Sequence, residues 1–220
     1  MEQNSHSKAW PDTFQMLRRL LYDGPGQTLV IRPGKSADPE RVYAGVCVLF
    51  ENTKIEQDSE GNVYVISPAG GESSHQNQQL TLRLGLWAQA DGRGKAFDSS
   101  VGFIFPDGSK RSPDGSWVKL ETLKALTRDQ LRKLLQVVPD FVVEIMSPSD
   151  DWSDLQAKMR EYSRNGVALG WLIDPDKRRV EIHRRFRLPE TLDNPTMLRG
   201  EDPVGGFTLD LEPIWEGLNL

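Results

Sequence analysis

The apolar positions of the chain are densest between residues 137 and 183, and their spacing changes from strand-like to helical and back within that stretch. From Phe141 to Met146 nearly every position is apolar, with Phe141, Val143 and Ile145 on one alternating face and Val142 and Met146 on the other. That pattern predicts a strand covered on both sides. Only Glu144 interrupts it. An ionised carboxylate there costs several kcal/mol unless a cation or a set of donors compensates it, so Glu144 requires a partner. Leu155, Met159 and Tyr162 then recur at helical spacing, with Ser149 or Ser153 as the expected N-cap and Asn165-Gly166 as the stop. Lys158 lies about 60° from Leu155 around this helix, so its stem can cover the core while its ammonium reaches the strand end. A second strand and a hairpin around Asp174 complete the unit.

Outside it the pattern is sparser. Residues 1–39 are rich in Pro, Gly and polar residues apart from a helical patch at 14–22, and are read as an arm or extension; residues 40–220 are read as one domain. Val42, Val46 and Phe50 share a helical face beginning at Pro39. Lys54–Gln57 and residues 62–67 form an expected hairpin across Asp58-Ser59-Glu60-Gly61. Residues 72–90 fit both alternation and a helical stripe; their length and Gln and Ala content favour a helix. Residues 95–105 and 111–118 read as strands of the same sheet, 127–135 as a short amphipathic helix, 188–203 as a long surface loop, and 206–211 as a late strand.

Composition narrows the classes of function. The chain has 220 residues, 27% of them charged, and a formal net charge of -5. No apolar run approaches the 18 or so residues of a membrane helix. The first residues lack a secretory pattern, and the single Cys47 cannot form an internal disulfide, so a cytoplasmic location is expected. The negative charge argues against a polyanion binder that uses its whole surface. Arg178, Arg179, His183, Arg184, Arg185 and Arg187 form a local basic cluster, read first as a strand edge protected by charge. With three histidines and no HExxH, GxxxxGKS or paired CxxC pattern, a His-based zinc site or triad has little raw material.

The acids offer more. Asp114, in Arg111-Ser112-Pro113-Asp114, precedes Glu144 by 30 residues, and two neighbouring strands could present both. Two carboxylates about 4 Å apart repel by about 4 kcal/mol at an effective dielectric of 20. A hard divalent ion such as magnesium, with manganese as a substitute, would relieve this, and the Ile145 carbonyl could be a third ligand.

The segments SPDGSWV, PDFVVEIMSPSD, LQAKMREY and GWLIDPDKRRVEIHR, in this order, resemble the Uma-type restriction-endonuclease-like family of the PD-(D/E)XK nuclease superfamily, over about residues 40–215. The resemblance implies that Asp114 and Glu144 bind the metal. The superfamily's usual lysine, two residues past the Glu, is replaced here by Met146. In related sequences a lysine comes from the following helix, within a Q-x-K-x-x-x-Y pattern matched by Gln156, Lys158 and Tyr162. Lys158 is thereby the expected third catalytic residue. Glu72 matches an auxiliary acid and Gln156 a phosphate or water contact, although a first-turn acid also stabilises a helix dipole and a surface Gln needs no role. The expected fold is α/β (α+β), a restriction-endonuclease-like mixed sheet flanked by helices. The expected function is magnesium-dependent DNA cleavage by a homodimer; the alternative is a noncatalytic nucleic-acid or protein-binding module that retains the fold.

Overall fold

The computed structural model describes residues 28–34, 36–50 and 53–218, so the expected helical patch at 14–22 lies outside the described residues. Strand β1 (Thr28–Ile31), within the segment read as an arm, pairs antiparallel with β3 (Val63–Ile66). Between them come helix α1 (Pro39–Leu49) and strand β2 (Lys54–Gln57). Asp38 caps α1 by accepting from the Glu40 amide, and Pro39 occupies the first turn, where its missing N–H costs nothing. Val46 and Phe50 pack on Val63 and Val65, closing a small core. The expected β2–β3 hairpin forms, with Asp58 accepting from the Glu60 and Asn62 amides across the turn.

The ambiguous stretch at 72–90 is helical. Helix α2 (Gly71–Asp91) buries Leu80, Leu84 and Ala88, leaves Leu82 and Leu86 exposed, and ends at Gly92 in the left-handed region.

The next segment differs from the expectation. Residues 95–105 do not make one strand but two, β4 (Gly94–Asp98) and β5 (Phe103–Ile104), and residues 111–118 divide between β6 (Lys110–Arg111) and β7 (Gly115–Lys119). The pieces belong to different sheets. A five-stranded sheet has the order β1-β3-β2-β6-β5, while β4 and β7 enter a six-stranded one. The chain crosses from one to the other at Pro113, which has no N–H to continue a ladder.

Helix α3 (Leu120–Lys124) follows β7 and was not expected. Residues 127–135, expected as a helix, form successive turns instead. Thr127 and Gln130 bond each other's side chains and amides, and Leu135 leaves to bridge Phe103, so no apolar stripe holds a helix down.

Strand β8 (Phe141–Ile145) is buried along its whole length, as its two apolar faces predict. Helix α4 (Trp152–Asn165) starts at Asp151 rather than at Ser149 or Ser153, because the Asp151 carboxylate accepts from the Ser153 amide; it ends at Gly166, φ 108°. Strands β9 (Leu169–Asp174) and β10 (Arg179–Arg184) follow, β9 parallel to β8 and antiparallel to β10.

The basic cluster is not an edge. Strand β11 (Glu190–Asp193) covers β10, and Arg184 is paired with Glu190 and Glu201. Residues 188–203, expected as a loop, thus contain β11 and also β12 (Met197–Arg199), which pairs with the expected late strand β13 (Thr208–Asp210). β11 is short and largely exposed, so it lacks the apolar alternation that reveals a strand. A short helix α5 (Glu212–Trp215) closes the described chain.

The six-stranded sheet, β11-β10-β9-β8-β7-β4, therefore has β8 and β9 inside it and a core on each face. One core joins Phe141, Val143, Ile145 and Trp171 to Leu80 and Leu84 of α2; the other joins Val142 and Leu172 to Met159 and Tyr162 of α4. This is the expected mixed α+β architecture. Gly170 sets the second contact: a Cβ there would come 2.5 Å from Met159 Cε, so its absence lets α4 lie close across β9. That approach brings Lys158 to the strand end.

Candidate active site

Where the two sheets meet, a cleft of about 590 Å³ is lined by Lys54, Glu72, Asp114, Glu144, Ile145 and Lys158, among others. Asp114 reaches it because strand pairing between β7 and β8 stops there. The register Gly115↔Val143 would place Pro113 opposite Ile145, and the Ile145 amide instead donates to Asp114 Oδ2 at 2.9 Å. This bond fixes the Asp114 carboxyl one residue beyond Glu144.

Glu144 is 3% exposed. Tyr162 donates its hydroxyl to Glu144 Oε1 at 2.7 Å, and Lys158 Nζ lies 2.9 Å from the same oxygen. Lys158 and Tyr162 are four residues apart on α4, hence on one face. Burial pushes the Glu144 pKa from 4.5 up to about 7; Lys158 opposes the rise, while Asp114 and Glu56 add to it.

The partner demanded by Glu144 is thus Lys158, shared with an acid the sequence reading missed. Glu56, on β2, accepts from Lys158 at 3.0 Å, lies 3.3 Å from Arg111 Nη1, and accepts from the Ser112 amide at 3.1 Å. Burial alone would raise its pKa, but Lys158, Lys54 and Arg111 together hold it at about 2. Burial would lower the Lys158 pKa, but Glu144 and Glu56 outweigh it and move it above its ordinary range. Lys158 is therefore an ammonium at neutral pH, held between the two carboxylates.

A further shell supports this group. Arg111 pairs with Glu161, its Nε 2.7 Å from Oε1 and its Nη2 3.0 Å from Oε2, and both side chains are buried. Glu161→Ala is expected to lower the unfolding free energy by about 3 kcal/mol, the low end for a broken buried pair because Arg111 keeps Glu56. A urea midpoint unchanged from wild type would contradict this.

The other expected residues are placed differently. Glu72 lies exposed in the first turn of α2 on the cleft wall. Gln156 does not line the cleft. It is two residues, about 200°, from Lys158 around the helix, and its amide donates to Glu181 Oε1 at 2.6 Å on the β10 side. The one trace of Glu56 in the sequence is that Lys54 and Glu56 share the face of β2 opposite Ile55, and that trace names no partner.

Among the described residues, no three His, Cys, Asp or Glu side chains converge as a metal cage. Two carboxylates beside the Ile145 backbone nonetheless suit magnesium, which keeps several waters and takes one or two carboxylates. The buried Glu144 carboxyl, whose ionised form burial disfavours, also favours a cation.

The six-stranded mixed sheet, with a helix packed on each face, defines a mixed α+β protein of restriction-endonuclease-like fold. A crystal structure from Anabaena variabilis, described as a "putative nuclease belonging to DUF820", superposes with a TM-score of 0.63 at 20% identity, covering 74% of this chain and 90% of that one. The chain belongs to the Uma2 family, whose model, described as "Putative restriction endonuclease", matches residues 45–212. No curated protein matches the sequence. Among the described residues, no helix is long and apolar enough to cross a membrane.

Proposed function

We propose that the chain is a divalent-metal-dependent endonuclease acting on DNA, with Asp114, Glu144 and Lys158 as its catalytic residues. The observation that carries this reading is the convergence of Asp114, Glu144 and the Lys158 ammonium on one cleft. Asp114, Glu144 and the Ile145 carbonyl would hold magnesium or manganese. Such an ion supplies Lewis acidity at the scissile phosphate and lowers the pKa of a water.

The protein groups do the rest. Asp114 is held in place by the Ile145 amide, so its position costs no reordering when substrate arrives. Lys158, charged and oriented by Glu56 and Glu144, stabilises negative charge developing on the phosphate and can donate a proton to the leaving oxygen. Its fixed ammonium supplies at the helix what Met146 cannot supply on the strand. Two copies of the chain would cut both strands of a duplex with symmetric sites, so a homodimer is part of the proposal.

The test is cleavage of plasmid DNA by purified protein with magnesium or manganese, beside Glu144→Gln protein prepared in the same way. Equal trace cleavage by both would reveal a contaminant and sink the reading. The pH dependence is a second check. At subsaturating magnesium a proton on Glu144 competes with the cation below about 7, so kcat/KM should climb with pH, by up to about tenfold per unit, and level off above about 7. A profile flat from pH 5 to 8 would contradict ligation by Glu144.

A further inference from the structure

Two lysines reach the floor of the cleft and are held in different ways. Lys158 Nζ lies 3.0 Å from Glu56 and 2.9 Å from Glu144, and its side chain is 12% exposed. Lys54 Nζ lies 3.7 Å from Asp114 Oδ1 and 3.8 Å from Glu56 Oε1, beyond hydrogen-bonding length, and its side chain is 26% exposed. The first ammonium has donors committed to two carboxylates. The second is steered by two carboxylates without being bonded by either, and it lines the cleft. With Asp114 engaged as a metal ligand, Lys54 keeps Glu56 at 3.8 Å and the field of Glu144, and is hydrogen-bonded by neither.

We propose that Lys54 is a substrate-binding residue of this site, its ammonium contacting a backbone phosphate of the nucleic acid next to the scissile bond. The inference rests on the nuclease reading above. β2 supplies a rigid mount, paired along its length with β3 and fastened to β6 at Gln57↔Lys110, so the lysine stem starts from a fixed point. Glu56 keeps the ammonium pointed at the cleft, and the long flexible stem lets it move the few ångströms from Asp114 to a phosphate oxygen. The division of labour is then spatial. Lys158, buried, serves the reacting phosphate; Lys54, part-exposed, holds the strand against the acids.

The test is steady-state cleavage of a DNA duplex with magnesium by wild type, Lys54→Met and Lys54→Arg, at several salt concentrations, with magnesium binding followed by calorimetry. Lys54→Met is expected to raise KM about tenfold and to make log(kcat/KM) shallower against log salt by roughly 0.9, the share of one released counterion. Lys54→Arg should keep the wild-type salt slope. Magnesium affinity should hold or tighten, because a cation near Asp114 has been removed. A wild-type KM and salt slope in Lys54→Met protein overturns the assignment, whatever happens to kcat, and leaves the nuclease reading standing. Absence of cleavage by wild type overturns that reading and this inference with it.

Discussion

Glu144→Gln is expected to reduce DNA cleavage on the order of a thousandfold or more while leaving the protein folded. The substitution keeps the shape of the side chain and an oxygen able to accept from the Tyr162 hydroxyl, now 2.7 Å away. It removes the negative charge that a hard cation needs, and the proposed magnesium site has few protein ligands to lose. The activity loss should therefore accompany a loss of measurable magnesium binding in calorimetry. Stability should move the other way. A carboxyl whose pKa is raised from 4.5 unfolded to about 7 folded binds its proton more tightly in the native state. Wild type then loses stability, relative to the Gln variant, as pH climbs from 4.5 through about 7. In metal-free protein at pH 8 the variant should melt no lower than wild type. Lys158 is not stranded by the change, because Glu56 still accepts from it at 3.0 Å. Retained cleavage, or lost folding with activity, would each contradict the assignment.

The parts of this site that were legible in the sequence are those where a charge breaks an apolar period. Glu144 stands in a run otherwise apolar on both faces, and Lys158 stands at the margin of a helical stripe, so each announces a need for the other. The crossover at Pro113 was visible as a Pro-Asp pair but read as an entry to a single sheet. A strand that changes sheets leaves no mark in hydrophobic period, only a breaker. The helix expected at 127–135 failed for the converse reason. Its residues have helical spacing, but Leu131 is exposed and Leu135 pairs with another strand, and short helices depend on tertiary packing more than on propensity. Glu56 illustrates the hardest case. Its partners Arg111 and Lys158 are 55 and 102 residues away, and nothing local in a four-residue strand discloses contacts at that range.

Lys158→Met should have the largest combined effect, because the ammonium is both the proposed catalytic charge and the counter-ion of two buried acids. Cleavage is expected to fall on the order of a hundredfold or more, as when a charge-stabilising or proton-donating group is lost. The fold should also suffer, by about 3 kcal/mol or more, since Glu144 and Glu56 lose the cation between them. The two losses can be separated. Glu56 keeps Arg111 and Lys54 within 3.8 Å, so the stranded acid is Glu144. Adding Glu144→Gln to Lys158→Met removes that acid and should return about 1–3 kcal/mol of stability, the coupling expected of groups in contact. Cleavage should not return, because the double variant lacks both the ligand and the ammonium. Stability then recovers in the second step of the cycle while activity stays lost. A surface lysine would behave otherwise: Lys158→Met would change neither quantity, and the second substitution would act as it does alone. Additive stabilities in the cycle, with cleavage of wild-type magnitude in Lys158→Met protein, would remove Lys158 from the mechanism and leave Met146 as the mark of a site without its lysine.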